Sequence, residues 1–277
     1  MSLFQAFLLG VVQGLTEFLP VSSSAHLVFT QHLLGFAESL VFFDVILHLG
    51  TLAGLLVFFA ADIASLLRDS LTGVSLLLRR KSMEKIAEIA PYSRWALGIL
   101  VASVPTALMG FLFKDWFESL FGSLRSTGFF LFGTTAILAL TKWVQPNDRR
   151  IEQARYWDFL IIGLLQGVAI APGISRSGAT IAAALFRGLR REDAFRFSFL
   201  LSIPAILGAG LLEWGEGFAS WPWGWPALGV GFLVSAVVGY LSLHFLARIT
   251  RQGKLHWFGL YTLLLGLLII LFAARFE

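Results

Sequence analysis

The chain has 277 residues, 57% of them hydrophobic and 14% charged, with a mean hydropathy of +0.79, whereas a soluble domain carries about 25% charged residues. This excludes a soluble globular protein, and the absence of cysteine excludes disulfides, thiolate metal sites, Fe–S clusters and a cysteine nucleophile. Nucleic-acid binding is a poor reading of the pI near 9.7, because the net charge is only +4 and the cations sit at the ends of apolar runs instead of along one groove.

A helical span needs about 20 mostly apolar residues. The first apolar run, residues 3–19, carries Gln13 and Glu17, has no Lys or Arg before it, and runs into Pro20 and the sequence PVSSSAH. It is expected to be retained, because a signal peptide has a basic leading region and an uninterrupted apolar one. Full spans are predicted at 41–61, which includes Asp44 and His48, at 95–113 and at 126–141. A second short run, 159–171, then breaks into PGISRSGAT, and spans follow at 197–212, 217–247 and 255–274. Bare loop backbone cannot face lipid, so the two breaks imply re-entrant helices lining a protein-enclosed cavity. The predicted fold is an all-α polytopic membrane protein with six transmembrane helices and two re-entrant broken hairpins.

Sorting Lys and Arg onto alternating loops places 17 on one side against three, Lys114, Arg125 and Arg275, on the other. The positive-inside rule makes the first side cytoplasmic. Both termini and the loop 213–226 are then extracytoplasmic, and Trp214, Trp221, Trp223 and Trp225 suit an outer interfacial belt.

The two broken elements also resemble each other. Gly10, Gln13 and Gly14 match Gly163, Gln166 and Gly167 at a constant offset of 153, and Pro20 meets Pro172 after a one-residue gap. Each element precedes three spans, an odd number, so the second copy is inverted relative to the first, and a shared site is expected near the midplane. Residues 1–144 form the first repeat, 145–157 a cytoplasmic linker and 158–277 the second, inverted repeat.

Three ionisable groups interrupt the predicted apolar elements: Glu17, Asp44 and Arg176. Charge at membrane depth costs about 2.5–3.5 kcal/mol or more, which makes each a functional candidate. Asp44 stands one turn before His48, where an intrahelical pair competes with a direct role, and both are left outside the catalytic set. Gln13 and Glu17, four apart, share a helix face. Ser22, Ser23, Ser24 and His26 follow in the break, so this element offers a base or divalent-metal position, a nucleophile and a proton donor. Taken singly, these serines are more simply helix caps, but the cluster they form with Glu17 and His26 is not explained by capping. In the second element, helix-start amides, the hydroxyls of Ser175, Ser177 and Thr180, and the Arg176 guanidinium suit an anion, with Arg matched bidentately to phosphate. A structural ion pair between Glu17 and Arg176 is the competing role.

These residues resemble a known family. GLTEFLPVSSSAH at 14–26 and PGISRSGAT at 172–180 look like the signature motifs of bacterial undecaprenyl-pyrophosphate phosphatase of the bacitracin-resistance type, and the likeness covers essentially the whole chain. Two departures are visible: Gln13 takes an amide where some members have a second acid, and Ser24-Ala25 stands where Thr-Gly is often seen. The resemblance implies hydrolysis of the lipid carrier undecaprenyl diphosphate to the monophosphate and phosphate, assisted by Mg²⁺ or Ca²⁺. It implies a multi-pass protein of the bacterial inner membrane, with its site at the outer face and with membrane lipids but no nucleic acid as partners. A homodimer is compatible with it. On this resemblance Glu17 is metal ligand or general base, Ser23 nucleophile or phosphate ligand, and His26 general acid or base. Arg176 is the phosphate clamp, and Gln13, Ser22, Ser175, Ser177 and Thr180 bind substrate.

A secondary transporter or lipid flippase is the main rival, because inverted repeats with broken helices are a transporter plan. The acid-phosphatase-like lipid phosphatases place His-x-x-x-Asp after their Ser-Arg motif. Here His244 and His256 are followed four residues on by Arg248 and Leu260, which argues against that family.

Overall fold

The computed structural model describes residues 1–36, 40–220 and 224–276, with no side-chain description at 83, 84, 87, 212–220, 275 and 276. The first half of the chain contains α1 (Leu3–Thr16), α2 (Ser23–Leu33), α3 (Val41–Phe58), α4 (Ala60–Leu78), α5 (Met83–Ile89), α6 (Tyr92–Leu112), α7 (Lys114–Phe121) and α8 (Leu124–Leu140). The second contains α9 (Tyr156–Val168), α10 (Arg176–Phe186), α11 (Arg191–Ser220), α12 (Trp225–Arg251) and α13 (Trp257–Phe276). Among the described residues no strand forms, and six helices are long and apolar enough to cross a membrane: Val41–Phe58, Tyr92–Leu112, Leu124–Trp143, Arg191–Leu211, Trp225–Arg251 and Trp257–Ala274. The protein is therefore a multi-pass membrane protein. The short pairs α1/α2 and α9/α10 occupy the places expected of the broken hairpins.

Helix packing fits the inverted repeat. On the expected repeat, α1, α2, α3, α6 and α8 would correspond in chain order to α9, α10, α11, α12 and α13, with α4, α5 and α7 inserted in the first half. Helix α1 packs along α12, and its counterpart α9 packs along α6, the counterpart of α12. The matched glycines explain how. A Cβ on Gly14 would lie 2.7 Å from Val238 Cβ and one on Gly10 3.0 Å from the Gly231 carbonyl, while one on Gly163 would collide with the Ala102 carbonyl. Without a hydrophobic drive between helices in lipid, such close approach supplies the packing energy. Gly163→Leu should therefore destabilise the fold by about 1–3 kcal/mol or more. Thermal unfolding in detergent would show it, and an unchanged midpoint would mean that α6 and α9 have room to spare.

Four features depart from the expected layout, the first being that the loop expected at 213–226 is helical as far as Ser220, where α11 ends. Helix α4 was not anticipated: it exposes Leu67, Leu71, Val74 and Leu78 in one stripe and buries Asp69 and Gly73 on the other side, the pattern of a helix lying in the membrane interface. Helix α9 begins at Tyr156 and so includes Asp158, a fourth ionisable group in the apolar elements. Asp158 is fully buried and accepts from the Arg155 amide and from Arg187 Nε, both at 2.7 Å. It also pairs with Arg149, which fastens the linker to the second hairpin. Helix α7 lies over that hairpin, with Phe117 packed against Ala171, Ile174 and Ala179. Of the tryptophan belt, Trp225 is exposed; Trp221, Trp223 and the side chain of Trp214 lie outside the described residues.

Candidate active site

Glu17 caps the C-terminus of α1, its amide donating to the Gln13 carbonyl at 2.8 Å. The chain then turns through Pro20 and enters α2 at Ser22, whose φ of +66° lies in the left-handed region that a non-glycine residue seldom occupies. Ser22 holds the N-cap position of α2 but makes no side-chain cap. Its hydroxyl instead accepts from the Gly173 amide at 3.1 Å, joining the two breaks across the repeat, so the simple capping role expected for this serine is not the one it has. Gly173, at φ +101°, is held from α8: Thr134 donates to its carbonyl at 2.7 Å and accepts from the Ser175 amide at 2.8 Å.

The buried Glu17 carboxylate is where the two hairpins meet. Its Oε2 accepts from Ser23 Oγ at 2.6 Å and from Gln13 Nε2 at 3.0 Å, and its Oε1 accepts from Arg176 Nη2 at 2.7 Å. His48 Nε2, from α3, lies 3.3 Å from the same Oε2. Removing a carboxylate from water costs several kcal/mol unless it is paired and hydrogen-bonded, and three donors with the facing His48 imidazole meet that requirement. Arg176 stacks over Phe199 with its Cζ 5.8 Å from the ring centroid. Two buried atoms of the cluster are left without a partner, Arg176 Nη1, a donor, and Gln13 Oε1, an acceptor. Such orphaned groups are costly unless a ligand completes them.

The remaining expected residues sort into near and far. Ser175 and Ser177 are buried with their hydroxyls 3.3 Å apart, and Ser175 caps α10 by accepting from the Gly178 amide at 3.1 Å. The amides of Gly173, Ser175 and Gly178 are thus committed to hydroxyls of the protein, which leaves the Arg176 and Ser177 amides at the start of α10 beside the guanidinium and the side-chain hydroxyls. Thr180 is fully buried away from Glu17, bonded to Ser198 of α11 and to the Arg176 carbonyl. His26 also stands apart: its Nδ1 donates to the Ser22 carbonyl at 2.8 Å, its Nε2 accepts from the Tyr261 hydroxyl at 2.7 Å, and the two rings stack in parallel. Asp44 accepts from Gln31 at 2.7 Å, and His48 bonds the Asp44 carbonyl, not its carboxylate.

His48, Thr134 and Tyr261, with Gln31, Ser198 and Phe199, are members of this network that sequence reasoning did not select. Only His48 carried a signal, an imidazole inside an apolar span. The arrangement can deprotonate a hydroxyl held against a carboxylate while a guanidinium supplied by the other repeat stabilises charge on an anionic group.

Comparison with known proteins agrees with this chemistry. The family profile described as Bacitracin resistance protein BacA matches residues 6–268. An undecaprenyl-diphosphatase of Carboxydothermus hydrogenoformans is 41% identical, the alignment covering 99% of this chain and 98% of the relative. One from Rubrobacter xylanophilus is 44% identical over 97% of each chain, and one from Methanobrevibacter smithii 40% over 98% of each. With the profile spanning nearly the whole length and relatives of this similarity aligned end to end, the chain belongs to the bacitracin resistance protein BacA family.

Proposed function

We propose that this chain is an undecaprenyl-diphosphatase, a membrane hydrolase that converts undecaprenyl diphosphate to undecaprenyl phosphate and inorganic phosphate, recycling the cell-wall lipid carrier and conferring bacitracin resistance. The observation that carries the reading is the 2.6 Å bond from Ser23 to Glu17, with Arg176 on the other oxygen of that carboxylate. A transporter needs groups that bind its cargo, but it does not need a hydroxyl poised against a base.

In the mechanism we assign, Ser23 Oγ attacks the terminal phosphorus and Glu17 Oε2 takes its proton. The bond from that phosphorus to the bridging oxygen breaks, and the lipid monophosphate leaves with its electron pair. Water then attacks the phosphoserine, releasing phosphate and restoring Ser23. Phosphoryl transfer relies mainly on positioning and on neutralising charge on the equatorial oxygens. Arg176 supplies that through Nη1, which has no protein partner, and Ser175 and Ser177 flank it. His26, held by Tyr261, is assigned to later proton exchange with water.

A divalent cation, Mg²⁺ or Ca²⁺, is also proposed. Among the described residues no group of three or more His, Asp or Glu forms a closed metal cage. Mg²⁺, however, commonly takes one carboxylate and completes its shell with substrate phosphates. Glu17 together with the unpartnered Gln13 Oε1 fits that pattern. When bound, the cation would neutralise diphosphate charge. The 17 to 3 charge bias supports a site facing the outer side of the bacterial inner membrane.

Purified protein in detergent, given undecaprenyl diphosphate, should release phosphate and lipid monophosphate; EDTA should abolish the release and Mg²⁺ or Ca²⁺ restore it. No release in the presence of metal would reject the phosphatase, and full release in chelator would reject the cation while leaving the phosphatase in place.

A further inference from the structure

We infer that His48 is a second phosphate-facing donor of the site, working opposite Arg176 on the shared Glu17 carboxylate, and that substrate releases Glu17 to act as base by drawing this imidazole onto a phosphate oxygen. The inference rests on the phosphatase reading and names a residue outside the two signature motifs.

The hydrogen-bond inventory fixes what the ring offers. His48 Nδ1 is 2.7 Å from the Asp44 carbonyl oxygen, which only accepts, so Nδ1 carries a hydrogen. Nε2 faces Glu17 Oε2 at 3.3 Å, and a carboxylate oxygen likewise only accepts. With the ring protonated, Nε2 faces that oxygen as an N–H group in an ion pair. His26 differs, because its Nε2 faces the Tyr261 hydroxyl, which can donate to it, and the neutral ring is satisfied there. Of the two histidines near the break, His48 is the one turned toward the carboxylate as a donor.

Exposure shows what this donor is for. The Glu17 side chain is 5% exposed and that of Arg176 14%, whereas His48 is 32% exposed. The imidazole is thus the most exposed of the three side chains joined at this carboxylate, and the one an arriving anion reaches with least rearrangement. Its ring is aimed from α3 by the Asp44 carbonyl, and α3 is tied to α2 by the bond from Gln31 to the Asp44 carboxylate. The titratable side chains that act on it are Glu17, Asp44 one turn back on α3 and, across the Glu17 carboxylate, Arg176.

The consequence concerns timing. Glu17 Oε2 is shared by Gln13, Ser23 and His48, and an oxygen surrounded by three donors is a weak base. When the His48 N–H turns to a phosphate oxygen, Oε2 loses one of them at the moment the Ser23 proton must move. Phosphate recognition and activation of the nucleophile are in this way coupled through one side chain.

The test uses His48→Ala and His48→Gln, the second keeping an N–H donor at similar reach. His48→Ala is expected to lower kcat/KM for undecaprenyl diphosphate by about 10²-fold, the scale for losing one preorganised donor, and His48→Gln to recover at least about tenfold of this. Thermal midpoints in detergent should stay near wild type. Binding of inorganic diphosphate, followed by calorimetry on the same proteins, should weaken about tenfold in the alanine variant and less in the glutamine variant. Wild-type kcat/KM and diphosphate affinity in His48→Ala would overturn the inference. So would equal loss in both variants in step with a fall in thermal midpoint, which is the signature of a structural contact. A wild-type protein that binds diphosphate through His48 but releases no phosphate would retain the donor and reject the phosphatase reading.

Discussion

Lysine in place of Arg176 should give a folded, membrane-inserted protein that hydrolyses its substrate about 10²-fold more slowly, or worse. The guanidinium spends Nη2 on Glu17 at 2.7 Å and holds Nη1 buried without a partner. It can therefore neutralise the carboxylate and meet a phosphate oxygen at once. A lysine is a point charge without that fork, and the pairing with Glu17 would survive while the second contact is lost. Removal of one preorganised charge-stabilising group costs rates of this order. If Arg176 were only the structural partner of Glu17, Arg176→Lys would keep near wild-type turnover. Arg176→Ala would then lose rate and thermal midpoint together. Measuring rate and midpoint for both variants separates the clamp from the scaffold.

Glu17→Gln is expected to be more damaging to rate, by about 10²–10⁴-fold, the span general-base catalysis contributes. The amide keeps an oxygen for Arg176 but cannot take the Ser23 proton, and its NH₂ group would confront donors that now bond to a carboxylate. Breaking a buried ion pair can cost about 3–5 kcal/mol by leaving one charge uncompensated. The retained oxygen should hold the loss below this, so the thermal midpoint should fall less than in Glu17→Ala. Phosphate release and thermal unfolding of the two variants check both statements, and wild-type turnover in Glu17→Gln would remove the carboxylate from the chemistry.

The sequence made the six spans readable because charge-free apolar length is a property of the chain alone, and the structure places apolar helices at all six positions. Helix α4 escaped because its apolar residues are interleaved with Asp62, Arg68 and Asp69, so its amphipathic stripe does not register as a run. The site was legible in its charges: Glu17 and Arg176 are expensive where they lie, and each proved to be the other's partner. His48 was visible as an oddity in an apolar span, but its closeness to Glu17 depends on how α3 is seated beside α1, which no local pattern encodes. The capping role of Ser22 taken singly failed for a similar reason. A serine before a helix suggests a cap, and only its positive φ, set by the turn through Pro20, points the hydroxyl at Gly173 in the other repeat. Thr180, a hydroxyl four residues past Arg176 on one helix face, is engaged by Ser198 of α11, a partner that no local pattern announces.

The most direct test of the account is phosphate transfer at Ser23. Protein mixed with undecaprenyl diphosphate labelled in its terminal phosphate and quenched within one turnover should carry label on the peptide containing Ser23. Ser23→Ala should carry none and release no phosphate, at an unchanged thermal midpoint. Undiminished phosphate release by a folded Ser23→Ala variant would contradict the assignment of Ser23, held by Glu17, as the attacking group.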